Sequence, residues 1–475
     1  MKTTWTAHEV AQAVGAETKG ERVATGVSKD SRELNPGDLF IALKGPKVEG
    51  TDYVASALEA GAAGAIVDRI PTGYEKDSRL ILVKDTFQAL NDLAKAARAR
   101  SKAKIIAITG SFGKTGTKDA TSLLLSHFGS VQASERSFNN HWGVPFTVSN
   151  ISPKLDFGVI EIGMNHAGEI APLSRVARPD VALITTIREM HIEHMGSLEN
   201  IAAEKSEIFA GMAEGGTAIL NRDDLMFPKV HAAAKAKKLK VITFGTHKEA
   251  DCRLVKCTID EGWLWAEAMV DKTLFTYRIP VVGEHWALNS LGVLGVIKAL
   301  GLDVIEASKV FLKLVLPEGR GVQHQVNFKQ GKITIIDESY NAGPDSMKAA
   351  LKVLGTLVPA GTGKRIAILG DMRELGPKAQ EIHEGLKTDL IANKVDLVFT
   401  CGEKMEHLHR SLPEKMRGAH ALEVADLIPS VVRCVQPGDI IMIKGSKGQY
   451  AHRGRMYAFV EALLNLDHKA SAVGI

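Results

Sequence analysis

A glycine-rich turn between an apolar run and a helical pattern carries the clearest chemistry in the sequence. The β-branched run at 105–108 is followed by TGSFGKT at 109–115, and a helical pattern begins soon after. Glycines let backbone N–H groups turn inward, and the N-terminus of the next helix is electropositive. Lys114 adds a charge for the outer phosphates, while the Thr115 hydroxyl can ligate Mg2+. The stretch therefore predicts a phosphate-binding loop for a nucleoside triphosphate, and we expect ATP.

This loop departs from the full phosphate-loop pattern at one position. That pattern places a glycine five residues before Gly113, where this chain has Ile108. We interpret the stretch as a shortened form of the loop. On these residues alone an ordinary strand-to-helix turn remains an alternative, so other parts of the sequence must decide between the two.

A carboxylate interrupts a second buried strand pattern. Residues 157–163 read FGVIEIG, and Glu161 lies near the end of this run. Burying an unpaired carboxylate is costly, so Glu161 is expected to have a partner. Because the carboxyl ends of strands in an open α/β sheet border the ligand crevice, we expect Glu161 beside a metal at Thr115.

Two more polar side chains follow the next strand pattern, VALITTI at 181–187. His191 lies on the loop after it, and Lys205 lies in a helical pattern that begins near residue 197. Taken singly, a loop histidine and a helix lysine are more often solvated than functional. Their place at the same edge of the predicted sheet makes them candidates for the site.

The elements that must position these residues divide into three predicted domains, because 475 residues are too many for one hydrophobic core. We predict an α/β fold with a small substrate-binding α/β domain at 1–84. A central P-loop ATPase-type domain at 85–317 combines a parallel sheet with an antiparallel hairpin region near 252–282. A Rossmann-like, doubly wound domain follows at 318–475, with strands at 333–336, 365–369, 397–400 and 440–443. No GxGxxG follows its first strand, which argues against a dinucleotide cofactor.

Composition excludes several other classes of protein. Hydrophobic residues make up 45% and charged residues 24% of the chain, as in globular proteins. The formal charge of +4 is too small and dispersed to indicate nucleic acid. The N-terminus lacks a signal-peptide pattern, and no apolar run approaches the ~20 residues of a membrane span. We therefore expect a cytoplasmic protein that acts on anionic small molecules, and we expect it to be a monomer.

Taken together, the motifs resemble a known family, the ATP-dependent Mur ligases of bacterial peptidoglycan synthesis. The resemblance extends in order from about residue 26 to 450 and includes TGSFGKTGTKD, FNNHWGVP, EIGMNHAGEI, HIEHMGSLENIAAEKSEIF, GEHWALNS, EGRGVQHQV, DESYNAGPDSM, GDMRELG and IKGSKG. SYNAGPDSM and GDMRELG are similar to segments of the members that join D-alanyl-D-alanine to UDP-N-acetylmuramoyl-tripeptide. Gly116, Thr51, Thr186 and Gly343 depart from the residues usual in the family.

The resemblance implies a reaction in which ATP activates a substrate carboxylate as an acyl phosphate, which the amine of the dipeptide then attacks. It implies that Lys114 contacts the β- and γ-phosphates, supported by Gly110, Ser111 and Gly113. It further implies that Thr115 and Glu161 bind a first Mg2+, and that His191 and a carbamylated Lys205 bind a second. The remaining implied contacts are Asn289 to adenine, Arg320 to the phosphates, Asp337 and Tyr340 to the nucleoside, Ser31, Arg32 and Gly45 to the uridine diphosphate, and Asn139 and Asn140 to the substrate.

Several alternatives remain open from the sequence. Related ligases that add a diamino acid, or that resemble folylpolyglutamate synthase, share much of this pattern. VFTCGE at 398–403 stands where the diamino-acid-adding relatives carry Asp-Asn-Pro-Arg, which counts against them. A nucleotide-dependent regulatory module would need the phosphate loop but would have no use for Lys205 beside a metal. The third residue of the peptide, diaminopimelate or lysine, is left open.

Overall fold

The first part of the chain builds a small parallel sheet. The computed structural model describes residues 3–45, 48–190, 192–260, 262–447 and 455–466. The sheet has the order β3-β4-β5-β6 with parallel pairing, and β1 pairs with β2 beside it. The elements are β1 (Trp5–Thr6), α1 (Ala7–Val14), β2 (Val23–Ala24), β3 (Val27–Ser28), β4 (Leu39–Ile41), a 3-10 helix (Gly50–Tyr53), α2 (Val54–Glu59), β5 (Gly64–Val67), β6 (Leu80–Leu82) and α3 (Thr86–Arg100).

Helix α3 lies between the first sheet and the next part of the chain. The Asp85 side chain caps it by accepting hydrogen bonds from the N–H groups of Phe87 and Gln88. Leu90 and Leu93 are fully buried in the core of the first sheet, together with residues of β4 and β5. Ala94 belongs instead to the core of the central sheet. The helix therefore joins the two cores.

A large sheet forms the centre of the molecule, with β15-β14-β13-β12-β11-β10-β7-β9-β8 as its order in the described part of the chain. The strands of this sheet and the helices between them are β7 (Lys104–Thr109), α4 (Lys114–Leu125), β8 (Val131–Ala133), α5 (Gly143–Ser149), β9 (Phe157–Glu161), α6 (Ile170–Ala177), β10 (Val181–Ile184), α7 (Ile192–Met195), α8 (Leu198–Ser206), a 3-10 helix (Glu207–Gly211), β11 (Thr217–Asn221), α9 (Phe227–Ala236), β12 (Lys240–Gly245), β13 (Cys252–Asp260), β14 (Trp263–Val270), β15 (Thr273–Ile279), α10 (His285–Ala299), α11 (Val304–Val310) and a 3-10 helix (Phe311–Lys313).

Strand order in the central sheet explains how it gathers the candidate residues. The strands from β7 to β12 pair in parallel, and β7 lies between β9 and β10. The carboxyl ends of these three strands therefore meet at one edge, which brings the loops after them together. β14 is antiparallel to both of its neighbours, β13 and β15. The predicted hairpin is thus confirmed, with a third strand added to it.

The last part of the chain forms a doubly wound sheet, as predicted. Its order is β16-β17-β21-β18-β19-β20, parallel except for the pairing of β16 with β17. Apolar clusters cover both of its faces. It contains β16 (Val322–Phe328), β17 (Gly331–Glu338), α12 (Pro344–Thr356), β18 (Arg365–Gly370), a 3-10 helix (Gly376–Lys378), α13 (Ala379–Ala392), β19 (Leu397–Cys401), α14 (Met405–Ser411), a 3-10 helix (Glu414–Met416), β20 (Arg417–Ala421), α15 (Val424–Cys434), β21 (Ile440–Lys444) and α16 (Tyr457–Leu464).

The four strands predicted for this region correspond to β17, β18, β19 and β21. The α/β fold class is therefore confirmed in all three parts. Within the described ranges, no helix is both long enough and apolar enough to cross a membrane.

Candidate active site

The turn after β7 has the backbone of a phosphate-binding loop. Gly110 and Gly113 have φ values of 148° and 80°, which other residues rarely adopt. A Cβ atom on Gly110 would overlap the Thr185 hydroxyl, so only glycine fits there. Nζ of Lys114 donates hydrogen bonds to the carbonyl oxygens of Gly110, at 2.7 Å, and Ser111, at 3.1 Å. The lysine thus folds back over the loop, which favours the phosphate loop over an ordinary turn.

Ser111 braces the loop from the side. Its hydroxyl donates to the carbonyl oxygen of Arg188 at 3.0 Å and accepts from the Arg188 N–H at 2.9 Å. Its own N–H donates to the carbonyl of Thr186 at 2.7 Å. The Ser111 side chain is therefore bound to the segment after β10, and the loop backbone is the part left for a ligand.

The charge around Lys114 suits an anionic ligand. Loss of hydration lowers the pKa of Lys114, the nearby Glu161 carboxylate opposes this change, and Arg320 adds to it. Because the positive charge of Arg320 lowers the pKa of Lys114, positive charges lie close together here. A bound polyphosphate would relieve that crowding, because its negative charges would favour the ammonium form.

Glu161 has the hydrogen bonding expected of a metal ligand. It is 1% exposed at the end of β9. Its Oε1 atom accepts a hydrogen bond of 2.7 Å from Nδ2 of Asn139, whereas its buried Oε2 atom has no hydrogen-bond partner among the described residues. An unpaired buried carboxylate oxygen is costly unless something else binds it. Together with the buried Thr115 hydroxyl, this oxygen provides the hard donors that Mg2+ prefers.

Lys205 is buried on α8 with 3% exposure. Burial and the charge of Lys114 lower the pKa of Lys205 well below its usual value, although Glu204 opposes the change. The lowered pKa favours the neutral amine over the ammonium form. His191 lies outside the described residues. Among the residues that are described, no three His, Cys, Asp or Glu side chains group closely enough to hold a metal by themselves.

Two residues of the last part of the chain reach the phosphate loop. Nη2 of Arg320 lies 3.4 Å from the Ser137 hydroxyl, and the Tyr340 hydroxyl donates to the same oxygen at 3.0 Å. The Arg320 guanidinium also stacks 4.2 Å above the Tyr340 ring. Burial raises the pKa of Tyr340, but Ser137, Arg320 and Lys447 together lower it below its usual value. Since Oγ1 of Thr115 lies 3.3 Å from the same Ser137 oxygen, both predicted residues border the phosphate loop.

Matches to family models fall on all three parts of this structure. The Mur ligase middle domain matches residues 108–297, the Mur ligase glutamate ligase domain matches 324–447, and the Mur ligase family catalytic domain matches 23–98. The UDP-N-acetylmuramoyl-tripeptide--D-alanyl-D-alanine ligase of Rickettsia prowazekii is 34% identical over 445 residues, which are 94% of this chain and 97% of that protein. The chain belongs to the Mur ligase family. It is accordingly an ATP-dependent ligase that forms a C–N bond.

Other similar proteins agree with this membership. The ligase of the same name from Bacillus subtilis is 34% identical over 436 residues, covering 90% of this chain and 92% of that protein. A crystal structure of MurF from Acinetobacter baumannii has a TM-score of 0.85 at 26% identity, covering 98% of this chain and 99% of that one. MurF from Thermotoga maritima, solved in complex with ADP, has a TM-score of 0.75 at 26% identity and covers 94% and 98% of the two chains.

Asn139 and Asn140 of this Mur ligase have different partners, although the sequence grouped them together. Asn139 is bound to the Glu161 carboxylate. The Asn140 side chain instead accepts hydrogen bonds from the N–H groups of Trp142, at 3.2 Å, and Gly143, at 2.9 Å, at the start of α5. Asn139 therefore orients the proposed metal ligand, while Asn140 orders the loop before the helix.

Asp337 and Asn289 lie at the two flanks of the site. Asp337 is 1% exposed, and its two oxygens each accept a 3.0 Å hydrogen bond, one from the N–H of Gly319 and one from that of Ser339. It thus fixes the linker at 317–320 to the end of β17. Asn289 lies beside the phosphate loop, since a Cβ atom on Gly113 would be 3.0 Å from its Nδ2 atom.

Two of the four positions that depart from the family pattern, Gly116 and Gly343, have local explanations. A Cβ atom on Gly116 would lie 2.8 Å from the Trp286 ring, so the missing hydroxyl side chain gives room to that ring. A Cβ atom on Gly343 would lie 3.1 Å from the Phe112 ring at the tip of the phosphate loop. These glycines allow close packing of aromatic rings.

The residues predicted for the uridine diphosphate lie on loops of the first part of the chain. Ser31 is half-buried, and Arg32 is exposed and paired with Asp30 at 2.6 Å. A Cβ atom on Gly45 would be 3.6 Å from the Trp142 ring. Gly45 therefore borders the segment that carries Asn139. The turn with Ser31 and Arg32 borders the same segment, since Glu33 lies 4.0 Å from Arg136 and Nζ of Lys29 lies 4.8 Å from the centroid of the Phe138 ring.

Sequence reasoning missed Ser134, Ser137 and Lys118. Lys118 is 3% exposed, and its Nζ atom donates to the carbonyl oxygens of Ser134, at 2.7 Å, and Arg136, at 3.2 Å. The Ser134 hydroxyl accepts from the N–H of Glu161 at 3.1 Å. These contacts join residues distant in sequence, and their types give no local signal. The only sequence signal for the burial of Lys118 was its helical spacing, which places it on the same face of α4 as the buried residues.

Proposed function

We propose that this Mur ligase joins D-alanyl-D-alanine to UDP-N-acetylmuramoyl-tripeptide at the expense of ATP. These substrates appear in the names of its relatives, and the Rickettsia prowazekii ligase matches more than nine tenths of the chain. Similarity to a diaminopimelate-adding ligase is lower, with a TM-score of 0.53 at 16% identity. The reaction type follows from membership of the Mur ligase family, and the unpaired Glu161 oxygen near the phosphate loop is the observation in the structure that supports a metal-assisted phosphoryl transfer.

The chemistry that fits this site proceeds through an acyl phosphate. A carboxylate oxygen of the tripeptide attacks the γ-phosphorus of ATP, and the bond from that phosphorus to the β-phosphate oxygen breaks as ADP leaves. The amine of D-alanyl-D-alanine then attacks the acyl carbon, loses a proton and expels phosphate as the amide forms. No protein nucleophile is needed, so the residues contribute position and charge.

The site geometry supports the contacts proposed for the first half-reaction. Lys114 neutralises charge on the outer phosphates, and the backbone N–H groups after Gly110 and Gly113 bind phosphate oxygens. Arg320 and Tyr340 close over the same region from the last part of the chain. Their approach excludes water, which would otherwise hydrolyse the acyl phosphate.

Mg2+ fits the donors present. We propose that Thr115 and Glu161 hold one ion, and that His191 and a carbamylated Lys205 hold another. A bound Mg2+ supplies positive charge to the phosphate oxygens. The low pKa of Lys205 supports the modification, because only a neutral amine attacks CO2, forming an N–C bond and releasing one proton. Lys205→Ala should therefore abolish turnover while much ATP binding remains, and small added carboxylates should restore part of the rate.

The proposed substrates are tested by measuring phosphate release. Release should require both UDP-N-acetylmuramoyl-tripeptide and D-alanyl-D-alanine, and omission of either should abolish it. The assay should be repeated with diaminopimelate- and lysine-containing tripeptides to identify the third residue. Release only with a free diamino acid and the dipeptide precursor would show that the chain is the diamino-acid-adding ligase instead.

We also propose the domain bounds 1–84, 85–317 and 318–475, a cytoplasmic location and a monomeric state. Each bound lies next to an element that opens a new sheet or its covering helix. Sedimentation of the purified chain at micromolar concentration measures the oligomeric state. A mass of 51.2 kDa is expected for a monomer.

A further inference from the structure

A buried carboxylate outside the proposed site holds the segment that follows β10. Asp224 is 6% exposed and lies in the loop between β11 and α9. Its Oδ2 atom accepts hydrogen bonds from the N–H of Ile187, at 2.7 Å, from the Thr186 hydroxyl, at 3.0 Å, and from Nη1 of Arg188, at 3.0 Å. Its Oδ1 atom accepts from the N–H of Met226 at 3.0 Å. One carboxylate therefore binds three consecutive residues after β10 to the loop that carries it.

The same segment, residues 185–188, is bound to the phosphate loop. Ser111 makes three hydrogen bonds to its backbone, two through the serine hydroxyl and one through the serine N–H. The Thr185 hydroxyl donates to the carbonyl oxygen of Phe112 at 2.5 Å. A Cβ atom on Gly110 would lie 1.9 Å from the Thr185 hydroxyl oxygen, so the loop and the segment are in close contact. The segment therefore connects the buried carboxylate to the phosphate loop.

The donors around Asp224 need a carboxylate rather than a neutral side chain of the same shape. A carboxylate has two oxygens with about four lone-pair sites, whereas an asparagine amide has one oxygen with about two. Of the four donors that bind Asp224, asparagine would leave at least two unbound. One of these donors is the N–H of Ile187, a residue that is 2% exposed, and a buried N–H without a partner is costly. Asparagine should therefore hold the segment less firmly.

The adjacent Asp223 has a similar set of hydrogen bonds to a different part of the chain. Its oxygens accept from the N–H groups of Thr246, at 2.5 Å, and His247, at 2.9 Å, and from the Thr246 hydroxyl at 2.9 Å. These bonds join the loop after β11 to the residues after β12 and do not involve the 185–188 segment. The two neighbouring carboxylates therefore separate support of this loop from support of the phosphate loop.

We propose that Asp224 is a positioning residue for nucleotide binding. It holds the 185–188 segment, and through Ser111 and Thr185 this segment holds the phosphate loop in the shape that binds the outer phosphates of ATP. The inference rests on the phosphate-binding role proposed for residues 110–115. Arg188 is less suited to a test, because its Nε atom also lies 3.6 Å from the Asp345 carboxylate in the last part of the chain.

The test compares Asp224→Asn with Asp223→Asn in the full chain. ADP and adenosine compete in turn with a fluorescent ADP analogue in the presence of Mg2+, and the ratio of their affinities reports the phosphate contacts alone. Asp224→Asn should lower ADP affinity roughly threefold to thirtyfold, since the loop loses the support of one or two hydrogen bonds, and should leave adenosine affinity unchanged. Asp223→Asn should leave both affinities unchanged. A merely structural loss would weaken both ligands equally.

A double variant shows whether Asp224 acts through the phosphate loop. Ser111→Ala removes two of the bonds between the loop and the 185–188 segment, so its effect on ADP affinity should not add to that of Asp224→Asn. If Asp224→Asn does not fold, Thr186→Val takes its place in both experiments. This variant keeps the side-chain shape and removes one of the donors to Asp224, so ADP affinity should fall roughly twofold to fivefold.

The inference is overturned if Asp224→Asn, or Thr186→Val in its place, keeps the ADP-to-adenosine ratio of the unaltered protein or matches Asp223→Asn. Additive effects in the double variant would overturn it as well. Lys114→Ala separates this outcome from a failure of the proposed function. If Lys114→Ala lowers ADP affinity and Asp224→Asn does not, the positioning role alone is wrong. If Lys114→Ala leaves ADP affinity unchanged, the proposed phosphate contact is wrong, and the inference that rests on it is wrong too.

Discussion

Replacing Asn139 with alanine should impair the use of Mg2+ without disrupting the loop. Its Nδ2 atom donates a 2.7 Å hydrogen bond to Oε1 of Glu161, which fixes one carboxylate oxygen and leaves Oε2 without a partner among the described residues. The backbone carbonyl of Asn139 accepts from the N–H of Gly163 at 2.8 Å, and alanine keeps that bond. The variant should therefore fold while leaving the carboxylate free to turn.

The expected size of this effect follows from the type of bond. A hydrogen bond to a charged group contributes about 1.5–3 kcal/mol. At 1.36 kcal/mol per tenfold change in rate, that loss corresponds to roughly a 10- to 150-fold fall in kcat/KM if the bond is needed in the transition state. Loss of a residue that orients a metal ligand typically costs about 10- to 100-fold in metal affinity or activity, which is the same range.

Phosphate release measured across a Mg2+ titration checks this prediction, with Asn140→Ala as the control. Within the described residues, the Asn140 side chain bonds only to backbone N–H groups at the start of α5, so its loss should lower Tm by a few degrees at most and leave the Mg2+ requirement unchanged. If Asn139→Ala kept kcat/KM within twofold, or if both variants shifted the Mg2+ requirement equally, the assignment of Asn139 as the residue orienting Glu161 would be refuted.

Gly385→Ala should raise Tm, because nothing lies within 4 Å of a Cβ atom there and alanine is favoured over glycine in a helix interior by about 1 kcal/mol. Gly116→Ala should instead lower Tm, because its Cβ atom would clash with the Trp286 ring. Equal shifts of Tm for the two variants in calorimetry would contradict this. Burial lowers the pKa of His383, whose Nε2 accepts from the N–H of Met372 at 3.0 Å. The unfolded chain therefore binds a proton at His383 more readily than the folded chain does. The contribution of neutral His383 to the free energy of unfolding is complete above the unfolded pKa of ~6.5. It falls below that pH, by at most about 1.4 kcal/mol per pH unit. His383→Gln should flatten that decline in denaturation curves between pH 7 and 5.5, and an unchanged slope would refute it.

Strand patterns in the sequence predicted most of the fold because they are local. The runs at 105–108, 157–161 and 181–184 lie in β7, β9 and β10, whose order brings their loops to one edge. The sequence did not predict β20, because RGAHA at 417–421 contains no apolar run. In the structure this strand is only half-buried. A strand of this kind is specified by its parallel neighbour and by the helix that covers it.

The candidate site could be predicted where chemistry follows from short spacing. Lys114 and Thr115 are next to each other in sequence, and the carboxyl-end rule brought Glu161 to them. Ser137 could not be predicted, because its partners Arg320 and Tyr340 follow about two hundred residues later and a serine near a strand has many ordinary uses. Long-range hydrogen bonds to neutral side chains leave no periodic signal.

Asp337 illustrates the difference between bringing a residue to the site and assigning its contacts. The family resemblance implied that Asp337 contacts the nucleoside, and Asp337 lies at the end of β17. Both of its oxygens are already bound by the backbone N–H groups of Gly319 and Ser339. Direct contact with the nucleoside therefore stays a prediction, while the role in fixing the linker follows from the geometry.

The acyl phosphate is tested most directly by following oxygen from the tripeptide carboxylate. A tripeptide substrate labelled with 18O in the carboxylate that becomes the amide is incubated with ATP, D-alanyl-D-alanine and the enzyme, and the released phosphate is examined by mass spectrometry. The account predicts one 18O atom in each phosphate, because the bridging oxygen of the acyl phosphate leaves with phosphorus when the amine attacks carbon. Phosphate without 18O, formed together with the amide, would contradict it.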